Sequence, residues 1–222
     1  ENANQDIIEH PEFKARIKKQ RGGWGLQYGR PWVVGPIAYV NKEPLTRDLK
    51  HLNLAKEASN PTEAFMTAAS PGVLSKFVPD NYYKNEETYI SAMADAMRTE
   101  YEAIHKAGLI LQIDCPDFGS ARHNQYKDIS DEEFLKIAWR NMEAVNAATA
   151  NIPPEAMRLH ICWGNYEGPH THDFPLVKIL PVLMAARPGA ILFEGANPRH
   201  EHEWEDILGM DIPDHKIFIP GV

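Results

Sequence analysis

Apolar positions along the chain recur with two periods in alternating stretches, one of about 3.6 residues and one of 2. From Glu86 to Ala107, the residues Ile90, Met93, Met97, Tyr101 and Ile104 fall on one helix face, and Gly108 stands where that helix should stop. From Asp131 to Ala150 a second helix opens at Ser130-x-x-Glu133, a pairing in which each side chain satisfies a free N–H at the helix start. Shorter helices fit Thr46 to Glu57, Leu176 to Ala186 and Glu201 to Leu208. Between them, short β-rich runs predict strands at Trp32 to Gly35, Phe65 to Ala69, Leu109 to Asp114, Arg158 to Cys162, Ala190 to Glu194 and Lys216 to Ile219. No internal repeat or low-complexity linker interrupts this alternation, so residues 1–222 read as a single domain.

Strands alternating with helices call for a parallel sheet, and side-chain parity within the strands selects its form. Gln112 and Asp114 share one face, opposite Leu111 and Ile113; Arg158, His160 and Cys162 share a face opposite Leu159 and Ile161; Glu194 ends the next strand. An open sheet covered by helices on both sides would make both faces apolar. A barrel puts its apolar face against the helices and its polar residues inside, at the carboxyl ends of the strands. The expected fold is therefore α/β, a (β/α)8 barrel of the TIM type. Six predicted strands and 222 residues fall short of the eight strands and the ~250 residues of such a barrel. The chain begins at Glu1 rather than Met and ends at Pro220-Gly221-Val222, directly after an apolar run. It reads as a barrel incomplete at both ends, lacking its first strands and a C-terminal segment.

Composition narrows the partners. With 23 basic against 31 acidic side chains the net charge is −8, and no basic stripe is present to displace counterions from a nucleic acid or to hold an anionic membrane. No apolar run approaches the ~18 residues of a membrane span, and the first residues do not read as a signal peptide. Two cysteines, Cys115 and Cys162, make a disulfide framework unexpected and point to a reducing, cytoplasmic setting. The pattern leaves open association into a homo-oligomer.

The residues that carry chemistry lie at the strand ends. His160 and Cys162, two apart on a strand, point the same way with roughly 6 to 7 Å between Cα atoms, and Glu194 ends the neighbouring strand. Imidazole, thiolate and carboxylate are all zinc ligands, and burying them on one inward face is costly without a cation. His160, Cys162 and Glu194 are the candidate ligands of a Zn²⁺ ion; Asp114, inward and close to them, is the candidate catalytic residue. Gln112, Asp114 and Asn197 are candidate substrate contacts. Cys115 has the parity opposite to Asp114 and reads as a buried packing thiol. His170 and His172, in a Gly/Pro-rich stretch, read as loop residues facing solvent or substrate, and His200 and His202, among glutamates, as surface residues. Met93, Met97 and Tyr101 read as core.

Several segments in order carry a resemblance: Gly23-Trp24, Tyr28-Gly29-Arg30, Gly35-Pro36, Ser70-Pro71-Gly72, Ile113-Asp114-x-Pro116, His160-Ile161-Cys162-x-x-Asn165, Phe193-Glu194 and Pro220-Gly221-Val222. Together they resemble the catalytic barrel of cobalamin-independent methionine synthases, over nearly the whole chain. Cys162-Trp163-Gly164-Asn165, Pro169-His170 and the run from Glu194 to His202 are similar to the shorter, single-barrel branch that includes epoxyalkane:coenzyme M transferases. The resemblance implies zinc held by His160, Cys162 and Glu194, and a thiol substrate whose polar end meets Asp114. It implies a fourth ligand, a cysteine, beyond Val222. Two features depart from it. Asp114-Cys115-Pro116 stands where methionine synthases have Asp-Glu-Pro, and Ser75-Lys76-Phe77 offers only Phe77 where they carry a folate-holding Trp.

The implied function is zinc-dependent alkylation of a small-molecule thiol by an alkyl donor, of the homocysteine-methylating type that makes methionine. Two alternatives stand beside it: addition of a thiol to an epoxide, and a non-catalytic barrel with an incomplete metal site.

Overall fold

A computed structural model describes residues 5–20, 31–165 and 168–221. The motif residues Gly23-Trp24 and Tyr28-Gly29-Arg30, with Val222, lie outside the described residues. Five strands, β1 (Phe65–Ala69), β2 (Ile110–Asp114), β3 (Met157–His160), β4 (Ala190–Glu194) and β5 (Ile217–Gly221), form one sheet in the order β1-β2-β3-β4-β5. Every neighbouring pair is parallel. The helices are α1 (Gln5–Glu9), α2 (Pro11–Gln20), α3 (Glu43–Ser59), α4 (Pro71–Phe77), α5 (Glu86–Lys106), α6 (Asp131–Ala148), α7 (Leu176–Met184) and α8 (Trp204–Leu208).

Spatial order follows chain order, so each crossover adds its strand on the same side. Right-handed connections that never reverse direction keep their helices on one face. A doubly wound sheet instead changes direction at a switch point. No such reversal occurs among the described strands. The apolar face packs on the helices: Leu111, Ile113, Leu159, Ile161 and Ile191 are fully buried with Ile104, Phe134, Met142, Ile179 and Leu183. On the opposite face Gln112, Asp114, Arg158, His160, Leu192 and Glu194 are only half-buried, and Thr67 and Ile217 are exposed. The parity expected from the sequence is thus present, with one covered face and one open, largely polar one.

Local signals explain the helix ends. Ser130 caps α6 in a full capping box with Glu133. Gly108, at φ 72°, takes the left-handed conformation just past α5 that a side chain would resist. Asn60, at φ 45°, ends α3 in the same region.

Three expectations need correction. Trp32 to Gly35 is not a strand: Val33 alone forms a bridge, with Asp80. Pro31 and Pro36 flank the run and have no N–H to offer, so pairing stops at the N–H and carbonyl of Val33, bonded to Pro79 and Asn81. The sheet accordingly has five described strands rather than six. Finally, β3 ends at His160, and Cys162 stands just beyond it. Ser120 and Cys115 turn in against this exit, their N–H groups bonded to the carbonyls of Cys162 and His160.

Candidate active site

The sheet register arranges the open face in rows. Thr67, Gln112, Arg158, Ala190 and Ile217 lie level in one row, and Ala69, Asp114, His160, Leu192 and Ile219 in the next towards the carboxyl ends. One step further, Glu194 pairs with Gly221, and Cys162 follows His160 by two residues. The polar side chains singled out as candidate metal ligands therefore belong to the last two levels, where a parallel α/β sheet presents its ligands.

Asp114 and His160 meet directly, Oδ1 to Nδ1 at 2.8 Å. With the carboxylate accepting, Nδ1 carries the proton and Nε2 is left as a lone-pair donor, the arrangement that orients metal-binding histidines. The Cys162 thiol accepts the N–H of Gly164 at 3.2 Å. Burial pushes this thiol up, the Gly164 N–H pulls against it, and the carboxylates of Asp114, Glu194 and Asp173 raise it further. The charges acting on the sulfur are thus negative, which a cation would reverse. The Glu194 carboxylate accepts from the Asn197 amide, while Asn197 Oδ1 accepts the N–H groups of Arg199 and His200. Asn197 is committed to shaping this turn as well as facing Glu194.

Gln112 lies one row deeper. Its Oε1 accepts from Arg158 Nε at 2.7 Å, and the guanidinium sits 3.7 Å over the Phe65 ring. The amide oxygen thus braces Arg158 on the floor of the face, a level below Asp114 and His160. Among the described residues no three His, Cys, Asp or Glu side chains converge into a group able to hold a metal ion. His160, Cys162 and Glu194 are carried to the same end of adjacent strands, each engaged by a near neighbour.

Beside this face is a polar cluster that the sequence pattern hid. His170, read above as facing solvent or substrate, and His200, read as a surface residue, are buried with His123, Asp6 and Glu203, and the Asp173 side chain among them is only 7% exposed. Asp173 meets His170 Nδ1 at 2.8 Å, His200 Nε2 at 2.9 Å and His123 Nδ1 at 3.2 Å. His200 Nδ1 faces Glu203 Oε2 at 2.9 Å. Burial works against charge on both partners, but the hydrogen bonds win: Asp173 is held well below the ordinary carboxylate range, and His200 is pushed up to about 9. Asp6 accepts the backbone N–H of His170 at 2.8 Å and the hydroxyl of Thr171 at 2.8 Å, which docks α1 on the loop after β3. His172, by contrast, is half-exposed and pairs with Glu9. Imidazoles three residues from a carboxylate, as in His170 to Asp173 and His200 to Glu203, were the available signal.

A further buried carboxylate, Asp117, receives the Ser70 hydroxyl at 2.6 Å and the Asn141 amide at 3.0 Å. Burial pushes its carboxyl up. A Cβ on Gly72 would fall inside contact distance of both Asp117 and Asn141, so only glycine lets the start of α4 pack here. Cys115 is fully buried as expected, its thiol pushed well up by that burial.

No family model matches the chain. A methionine synthase of Saccharolobus solfataricus is 31% identical over 145 residues, covering 64% of this chain and 38% of that protein. Methionine synthases of Saccharolobus islandicus are 32% identical over 178 residues, covering 75% of this chain and 48% of theirs. The chain thus spans less than half the length of these relatives. Its fold is similar to that of a B12-independent methionine synthase from Shewanella sp. W3-18-1, solved in complex with selenomethionine: TM-score 0.62, 19% identity, 86% of this chain and 52% of that one covered. With the Asp114-x-Pro116 and His160-x-Cys162 segments at the carboxyl ends of adjacent parallel strands, these likenesses agree: the chain is a homologue of methionine synthases, with a fold similar to that of a B12-independent one.

Proposed function

We propose that this chain is part of a zinc-dependent methyltransferase that activates a small thiol of the homocysteine type and alkylates it at sulfur. The sheet is read as an arc of a (β/α)8 barrel, with the open face as its interior. The observation that supports this most is the Asp114–His160 pair, with Cys162 and Glu194 one level above it at the ends of β3 and β4. Nitrogen, sulfur and oxygen donors are those zinc accepts in catalytic sites, and a carboxylate-braced histidine is their usual support.

In this reading His160, Cys162 and Glu194 hold the ion, which when bound supplies the positive charge that favours the deprotonated form of a substrate thiol. Asp114 fixes the His160 ring and offers its remaining carboxylate oxygen to the polar end of the substrate. Leu192 and Ile219, level with His160 towards β5, line the apolar side of the same row. The alkyl group then has an apolar surface beside the sulfur.

The experiment is metal analysis with a parallel alkylation assay, methyl donors and epoxides in separate arms, on the protein and on Cys162→Ser. The proposal expects one zinc per chain and thiol methylation, both lost in the variant. Full zinc retention by Cys162→Ser contradicts the ligand assignment, and turnover of epoxides alone contradicts methyl transfer.

A further inference from the structure

Cys162 stands just past β3 and Glu194 at the end of β4, yet an unbroken series of contacts joins them outside the face they share. Glu194 accepts from the Asn197 amide; Asn197 Oδ1 accepts the His200 N–H at 3.1 Å; the His200 ring stacks on Trp163 with centroids 4.1 Å apart and planes 27° apart; Trp163 is the residue after Cys162. Both ends are pinned from behind. The Trp163 indole, fully buried, donates to the Phe174 carbonyl at 2.7 Å. Both His200 ring nitrogens face carboxylates, Asp173 and Glu203, and Glu203 also accepts the N–H of Leu176 at the start of α7. A ring that donates from both nitrogens is an imidazolium, and a cation stacked on an indole adds attraction to the packing.

We propose that Asn197, His200 and Trp163 form a brace that sets the spacing of Cys162 and Glu194 and thereby the metal affinity of the site. This rests on the zinc reading above. These three are positioning residues, since none of them supplies a ligand. Cys162 lies on the loop leaving β3 and Glu194 is the last residue of β4, and without a cross-link each would lose and regain its orientation independently. Outer groups that orient ligands are worth about 10 to 100-fold in metal affinity.

The test titrates Zn²⁺ against a competing chelator in the protein and in Cys162→Ser, Trp163→Leu, Trp163→Phe, His200→Gln and Asn197→Ala. Co²⁺ loading is followed in parallel through its thiolate charge-transfer band. The brace predicts affinity about ten-fold weaker or more in Trp163→Leu and His200→Gln, with an altered cobalt band, and most of the loss restored in Trp163→Phe. Wild-type affinity and an unchanged band in folded Trp163→Leu or His200→Gln overturn the brace while leaving the zinc reading intact. Should those two fail to fold, Asn197→Ala, which alters a half-buried turn residue, decides: undiminished affinity overturns the proposal. Failure of the wild-type protein to take up zinc, or uptake undiminished in Cys162→Ser, overturns the zinc reading and the brace with it.

Discussion

His160 Nδ1 and Asp114 Oδ1 stand 2.8 Å apart across the register that joins β2 to β3, so the imidazole is oriented by a residue on its own level of the sheet. Replacing Asp114 by Asn keeps the volume and removes the charge, and the amide can present its NH2 to the ring, favouring the wrong tautomer. The expected result for Asp114→Asn is zinc affinity lower by about 10 to 100-fold with little change in unfolding temperature. Chelator competition and thermal denaturation measure the two. Equal zinc affinity in variant and wild type would mean that Asp114 does not orient a ligand.

Asp117 links three elements, accepting from Ser70 before α4 and from Asn141 on α6, while Ser70 also caps α4 through the Val73 N–H. Asp117→Ala strands a buried hydroxyl and a buried amide, each worth about 1 to 3 kcal/mol, so a loss of about 2 to 6 kcal/mol is expected in urea denaturation. Asp117→Asn retains an acceptor and does not need ionisation, which burial already disfavours, so it should lose less than half as much. Equal losses in the two variants would assign the cost to the carboxylate charge rather than to the hydrogen bonds.

The half of the sheet that builds the site was legible because parity in a strand is a one-dimensional code. Leu111 and Ile113 against Gln112 and Asp114, and Leu159 and Ile161 against Arg158 and His160, name the two faces without any distant contact. Trp32 to Gly35 misled because β-rich composition records side chains, whereas a strand needs N–H groups that prolines lack. His200 misled for a different reason. Its neighbours in sequence are charged, and the groups that bury it are Trp163 and Asp173, the latter 27 residues away. Buried charge is intelligible only with its partners present, and those partners are set by the tertiary fold.

The two thiols should separate chemically. Cys115 is fully enclosed on the helix side of the sheet and Cys162 is half-buried at its carboxyl end. Iodoacetamide applied to the folded protein should alkylate Cys162 slowly and leave Cys115 untouched until denaturant is added, and prior zinc loading should protect Cys162. Peptide mass spectrometry after timed quenching reads both sites. Labelling of Cys115 in the native protein at the rate of Cys162 would contradict the packing of β2 against α5 and α6.

The buried network makes stability depend on pH with a definite sign. His200 is surrounded by Asp173 from the loop after β3, Glu203 from its own turn and the Trp163 ring, with His123 and His170 on the far side of Asp173. Its value rises from the ordinary 6.5 to about 9 in the folded protein. The folded state therefore holds this proton more tightly than the unfolded chain, and the stabilisation is complete below 6.5 and fades as the pH rises through about 9. Asp173 is shifted in the opposite direction, below its ordinary 3.8, so its contribution is present above that value and is lost on acidification. His200→Gln removes the first effect. The unfolding temperatures of wild type and variant should differ most near about pH 6 and converge towards about pH 10, as the wild-type imidazolium loses its proton. Thermal melts at intervals across that range, in one buffer system of constant ionic strength, measure the gap. A difference that stays constant from end to end would show that His200 contributes through packing on Trp163 alone, with no linkage to its charge.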